Sequence, residues 1–138
     1  MATSKNKEYL FVYGTLMKRF PQNHCISILE KHAKFVAEAH VLGELYLVEN
    51  YPGLQINKKE GFVFGEIFEI LNATELFKEL DMYEGFFPEN PNNSEYIRTK
   101  IEFYSDIIQP PRRAWVYIYR KPTTFLRKIE SGRFLNHS

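Results

Sequence analysis

A chain of 138 residues, 44% hydrophobic and 25% charged, has the size and composition of one globular domain with one sizeable core. Eighteen Lys and Arg against 17 Asp and Glu leave a formal charge of +1, which excludes the strong field that recruits nucleic acid or an anionic membrane. A single domain over 1–138 is therefore expected, with flexible ends at 1–7 and 130–138 and a small molecule or another protein as partner.

No apolar run reaches the roughly 20 residues of a membrane span, residues 1–7 lack the hydrophobic block of a signal peptide, and the one cysteine, Cys25, permits no internal disulfide. The expected location is the cytoplasm. Aromatic residues make up 16% of the chain and many fall in alternating segments, a composition that favours a sheet or small barrel.

In chain order, residues 8–13 carry apolar side chains on both strand faces at Leu10, Phe11 and Val12, which predicts a central strand ending at Gly14. After a loop through Arg19, Phe20 and Pro21, Asn23 can cap a short helix with Cys25, Ile28, Leu29 and His32 on one face. Residues 35–48 alternate again, as one bent strand or two short ones, with Gly43 at the bend. Tyr51-Pro52-Gly53 reads as a turn, residues 54–56 as a short strand, 58–61 as a connection, and 62–70 as a further strand.

Asn72-Ala73-Thr74-Glu75 predicts a capped helix start, Leu76, Phe77, Leu80 and Tyr83 supply its apolar stripe, and Gly85 fits the position after its end. Residues 85–94 read as a loop, and 95–104 and 112–120 as two more strands separated by Gln109-Pro110-Pro111. The order predicts an α+β fold, a small mixed β-barrel with two main helices packed outside.

Few residues offer chemistry. Glu84 lies at the negative end of the second helix, followed by Phe86 and Phe87, so dipole and desolvation both push its carboxyl pKa upward; a solvated helix-end glutamate is the alternative. Asp81, three residues earlier, reads as a brace or as half of a carboxylate pair. His24, His32, His40 and His137 form no metal-ligand motif, and GxGxxG, Walker A and GxSxG patterns are absent. Tyr96 and Arg98 share a strand face and can reach a common pocket, while Trp115, Tyr117 and Tyr119 form an aromatic face that reads as core or pocket wall before a base-stacking platform. Gly14 lets backbone amides after the first strand approach a ligand closely.

The ordered set Phe11-Val12-Tyr13-Gly14-Thr15-Leu16, Tyr51-Pro52-Gly53, Gly65-Glu66, Leu80-Asp81-Met82-Tyr83-Glu84-Gly85 and Tyr96-Ile97-Arg98 resembles the γ-glutamylcyclotransferase-like superfamily, with its AIG2-like and γ-glutamylamine cyclotransferase branches. The resemblance runs from about residue 9 to 120, and it departs from the family at Lys18-Arg19-Phe20, where many relatives have Gly in the third position. It implies a small barrel and cyclisation of a γ-glutamyl amine or γ-glutamyl amino acid to 5-oxoproline, with no cofactor and no metal. It also implies Glu84 as general acid/base and Tyr13, Gly14, Thr15, Leu16 and Tyr96 as substrate-binding residues. A noncatalytic module that binds a small γ-glutamyl-like metabolite or a protein partner is the alternative.

Overall fold

Strand β1, Tyr9–Val12, is buried at every position, as expected of a strand covered on both faces. The computed structural model of the chain describes residues 7–14, 26–48, 51–56 and 61–134, apart from the side chains of Ile26 and Tyr83. Thr15, Leu16, Phe20, Asn23, His24, Cys25 and the 58–60 connection lie outside those residues.

The sheet is built from β1, β2 (Ala33–Val48), β3 (Tyr51–Ile56), β4 (Phe62–Ile70), β5 (Tyr96–Phe103), β6 (Arg112–Tyr119) and β7 (Arg127–Lys128). Its order is β3-β2-β4-β1-β6-β5, with β7 on β2. β1 runs antiparallel to β4 and parallel to β6, so the sheet is mixed.

β2 resolves the choice between one bent strand and two. Its first part pairs with β4 as far as Leu42, and from Gly43 it pairs with β3. A Cβ on Gly43 would stand 2.6 Å from the Gln55 carbonyl oxygen, so the hand-over is possible only for glycine. A register shift between Phe35 and Ala37 adds a bulge that increases the curl. The far edge then returns to β2: His40 N–H donates to the Tyr104 carbonyl at 3.0 Å, and Tyr104 N–H donates back at 2.9 Å. The result is a mixed sheet curled into a half-barrel.

The pleat divides the apolar residues into two cores. Tyr9, Phe11 and Tyr13 point into the barrel with Val41, Val63 and Val116. Leu10 and Val12 point to the other face, where α1 (Ile26–His32) and α2 (Ala73–Glu84) contribute Leu29, Leu76, Phe77 and Leu80. Each buried leucine contributes about 1.5–3 kcal/mol, which fixes the helices against the sheet. α2 begins as predicted, with the Asn72 side chain accepting from the Glu75 N–H at 3.4 Å, and it ends on Gly85 in the left-handed conformation, φ 70° and ψ 36°. No helix among the described residues is long and apolar enough to cross a membrane.

Two expectations about local structure are corrected. Tyr51-Pro52-Gly53 belongs to β3 rather than to a turn: β3 is an edge strand, where a proline without an N–H is tolerated, and Gly53 lets it approach β6. A Cβ on Gly53 would stand 2.9 Å from the Tyr119 Cβ. The tail expected to be flexible from residue 130 packs instead as far as Phe134, which is buried beside Ile129. Phe64 N–H donates to the Gly132 carbonyl at 2.8 Å, and Ile129 N–H donates to the Leu45 carbonyl at 2.7 Å.

Candidate functional site

Glu84 is the last residue of α2, and the cap that follows determines what faces it. Gly85 N–H bonds back to the Met82 carbonyl and Phe86 N–H to the Asp81 carbonyl, closing the helix end. The chain then passes through a short 3₁₀ turn, Pro91–Asn93, and Ser94 Oγ pins the loop by accepting from Phe87 N–H at 2.8 Å. Glu95 N–H donates to the Gly85 carbonyl at 3.0 Å. A ten-residue excursion therefore brings Glu95 back beside Glu84.

The Glu95 carboxylate is held from β3. Tyr51 OH donates to its Oε2 at 2.5 Å, while Oε1 lies 4.0 Å from the point where a Cβ on Gly85 would stand. Three further tyrosines form the wall. Tyr13, directly after β1, donates to the Tyr117 carbonyl at 2.6 Å and accepts from Leu54 N–H at 3.2 Å. Tyr96 OH donates to the Pro52 carbonyl at 2.7 Å, and Tyr117 OH donates to Asp81 Oδ1 at 2.7 Å.

Asp81 is a brace. Arg98 binds it through both carboxylate oxygens, Nε at 2.9 Å and Nη2 at 3.1 Å, and the guanidinium lies 4.0 Å from the centre of the Phe77 ring and 5.0 Å from that of Trp115. This bidentate pair with aromatic cover ties α2 to β5 and orients the helix end that carries Glu84.

The electrostatics follow from this enclosure. Glu84 is partly exposed as a residue, yet its carboxyl is desolvated, and burial is the largest influence in raising it from the ordinary 4.5 to about 8, with the negative charges of Glu95 and then Asp81 adding to the shift. Burial likewise pushes Tyr13, Tyr96 and Tyr117 upward, and the Glu84 charge acts on all three. They remain neutral hydrogen-bond donors across the physiological range. Among the described residues no group of three or more His, Cys, Asp and Glu is arranged to hold a metal.

Of the residues singled out in the sequence, Glu84, Tyr13 and Tyr96 come together here, across three separate elements. Gly14 is buried at the same place: a Cβ on it would stand 2.6 Å from Pro52 Cγ, and the Pro52 carbonyl is the one that Tyr96 holds. Thr15 and Leu16 lie outside the described residues. Sequence reasoning missed Glu95 and Tyr51, whose only signals were an acid directly before Tyr96-Ile97-Arg98 and a tyrosine directly before Pro52-Gly53. A cavity of about 440 Å³ opens elsewhere, between β2, β4 and the segment after β5, lined by His40, Phe64, Tyr104, Asp106 and Arg133 among others, and it shares no residue with this cluster.

Residues 10–136 match the family described as "Gamma-glutamyl cyclotransferase, AIG2-like". The chain is 31% identical over 127 residues to the gamma-glutamylcyclotransferase family protein YtfP of Escherichia coli K12, covering 92% of this chain and 96% of that protein. The solution structure of ytfP from Escherichia coli superposes with a TM-score of 0.64 at 31% identity, covering 93% of this chain and 96% of that one. The crystal structure of an AIG2-like protein from Mus musculus gives a TM-score of 0.69 at 24% identity, covering 91% and 87%.

Proposed function

Since the chain belongs to the gamma-glutamyl cyclotransferase, AIG2-like family, we propose that it is a cyclotransferase in which the α-amine of a γ-glutamyl compound attacks its own γ-carbonyl, giving 5-oxoproline and releasing an amine or amino acid. The observation that carries this reading is the placement of the Glu84 carboxyl, desolvated at a helix end among three neutral tyrosines.

The reaction sets two tasks. The first is to fold the substrate back on itself, since intramolecular attack in a well-held geometry removes up to about 7–11 kcal/mol from the barrier. The fixed wall of Tyr13, Tyr96 and Tyr117 and the backbone at Gly14 are suited to holding the γ-glutamyl part, a task that the family resemblance extends to Thr15 and Leu16.

The second task is the proton. An α-ammonium group has an ordinary pKa of about 8, so a carboxyl of ordinary pKa near 4.3 would take its proton only at a cost of about 5 kcal/mol. Glu84, raised to about 8, accepts it at little cost. Glu84 then delivers this proton to the leaving nitrogen as the C–N bond breaks, takes the second proton from the attacking nitrogen as the lactam forms, and passes it to the departing amine, which leaves as an ammonium, so that proton count and charge balance over the cycle. No oxidant, metal or organic cofactor enters these steps.

Purified protein incubated with a panel of γ-glutamyl amines and γ-glutamyl amino acids is expected to release 5-oxoproline from at least one of them. Glu84→Gln is expected to lower kcat by about 10²-fold or more. No product from any compound, or full activity in the Glu84→Gln variant, overturns the proposal.

A further inference from the structure

Glu95 is the acid that the reaction as written leaves unused, and its surroundings assign it a task. Asp81 is occupied on both oxygens by Arg98 and on Oδ1 also by Tyr117. Glu95 is occupied on Oε2 by Tyr51, and its Oε1 is turned toward Gly85, the residue next to Glu84. Its backbone is held at both ends: its N–H bonds to Gly85, and its carbonyl accepts from Arg120 N–H at 3.0 Å. A carboxylate held this firmly, and near enough to Glu84 for its charge to act on it, is placed to receive a cation.

We propose that Glu95, held by Tyr51, receives the substrate's α-ammonium group beside Glu84 and so orients the attacking amine. This rests on the cyclotransferase reading and deepens it. The charged groups around Glu84 are Asp81 from α2, Glu95 from the loop before β5 and Arg98 from β5, while Tyr13 just after β1 and Tyr51, Tyr96 and Tyr117 from β3, β5 and β6 complete the wall. Of the carboxylates, Asp81 is already paired with Arg98 through both oxygens. Glu84 carries a proton in the empty site at neutral pH. The negative charge that remains to attract an ammonium is Glu95. The ammonium docks where Glu84 has released its proton to solvent, and Glu84 then acts as the base.

The test measures binding on a Glu84→Gln background, where turnover does not interfere. Affinities are taken by calorimetry for a γ-glutamyl amine and for the glutaric acid monoamide of the same amine, which lacks only the α-amino group. Adding Glu95→Gln is expected to weaken the amine-bearing ligand about tenfold and to leave the monoamide within about twofold. Glu95→Asp should restore part of the difference, and thermal melting establishes that each variant is folded.

A purely structural role for Glu95, tying the loop to β3, would weaken both ligands alike. That result, or unchanged affinity for both, overturns the proposal. Loss of discrimination with Glu95→Gln in a protein whose wild type forms no 5-oxoproline would overturn the cyclisation and keep the Glu95 assignment. Turnover in the wild type with discrimination untouched by Glu95→Gln would do the reverse. Failure of every γ-glutamyl ligand to bind overturns both.

Discussion

Between pH 4.5 and about 8 the folded chain holds a proton on Glu84 that the unfolded chain has released. Stability therefore declines as pH rises through that window, because the folded state binds the proton more tightly. Glu84→Gln removes this slope. Its stability relative to wild type is expected to be nearly level below pH 4.5 and to rise to roughly 2–4 kcal/mol in favour of the variant above pH 8, a value that allows for the partial exposure of the residue. Urea titrations at pH 4, 6 and 8.5 measure it, and a difference that does not change with pH would count against a raised carboxyl. Activity should move oppositely, increasing toward pH 8 as Glu84 becomes available as base. Tyr13 makes a second case at this scale: Tyr13→Phe strands a buried Tyr117 carbonyl and the Leu54 N–H, with an expected cost of about 1–3 kcal/mol in thermal or chemical denaturation.

Among the elements, α2 and β5 act as one unit through Asp81 and Arg98. Asp81→Asn leaves a guanidinium stacked between aromatic rings without its bidentate partner, and removing one member of such a pair costs about 3–5 kcal/mol. The same change removes a negative charge near Glu84, so the rising limb of the pH–rate profile should move to lower pH; a profile that stays in place would separate the brace from the base. At this scale the sequence was informative wherever the signal was local. The Asn72 cap, the stripe through Leu76, Phe77 and Leu80, and the left-handed Gly85 are written in adjacent residues and appear where expected. Tyr51-Pro52-Gly53 was misread because Pro and Gly commonly punctuate turns, whereas here they serve an edge strand and a close approach to Tyr119. Glu95 was not legible, because its closeness to Glu84 comes from a loop that closes on a single backbone hydrogen bond between residues 85 and 95.

The half-barrel as a whole depends on contacts far apart in sequence, and the docked tail is one of them. Gly132 has φ 71°, and a Cβ there would stand 1.9 Å from the Phe62 carbonyl oxygen. Gly132→Ala is expected to lift the segment away from β4, with a loss of about 1–3 kcal/mol. Hydrogen exchange at the Phe64 amide, which donates to Gly132, should then accelerate while the α2 amides stay protected; equal acceleration of both would point to general loosening instead. Alternation along each strand revealed the two faces, so the mixed barrel with helices outside was legible. Which strand lies beside which was not, since alternation carries no record of its partner.

Tyr13 and Tyr117 are joined across 104 positions of sequence, and β1 lies between β4 and a strand, β6, that is made long after it. At about 5–20 residues per second on the ribosome, the first strand waits roughly 5–20 s for its parallel neighbour. For part of that interval a nascent chain already carries Glu84 and then Glu95 but still lacks Tyr117 and the rest of β6, so the enclosure that desolvates the carboxyl is incomplete. The chemistry of the site is thus acquired only when β5 and β6 have emerged and closed over a residue made before them.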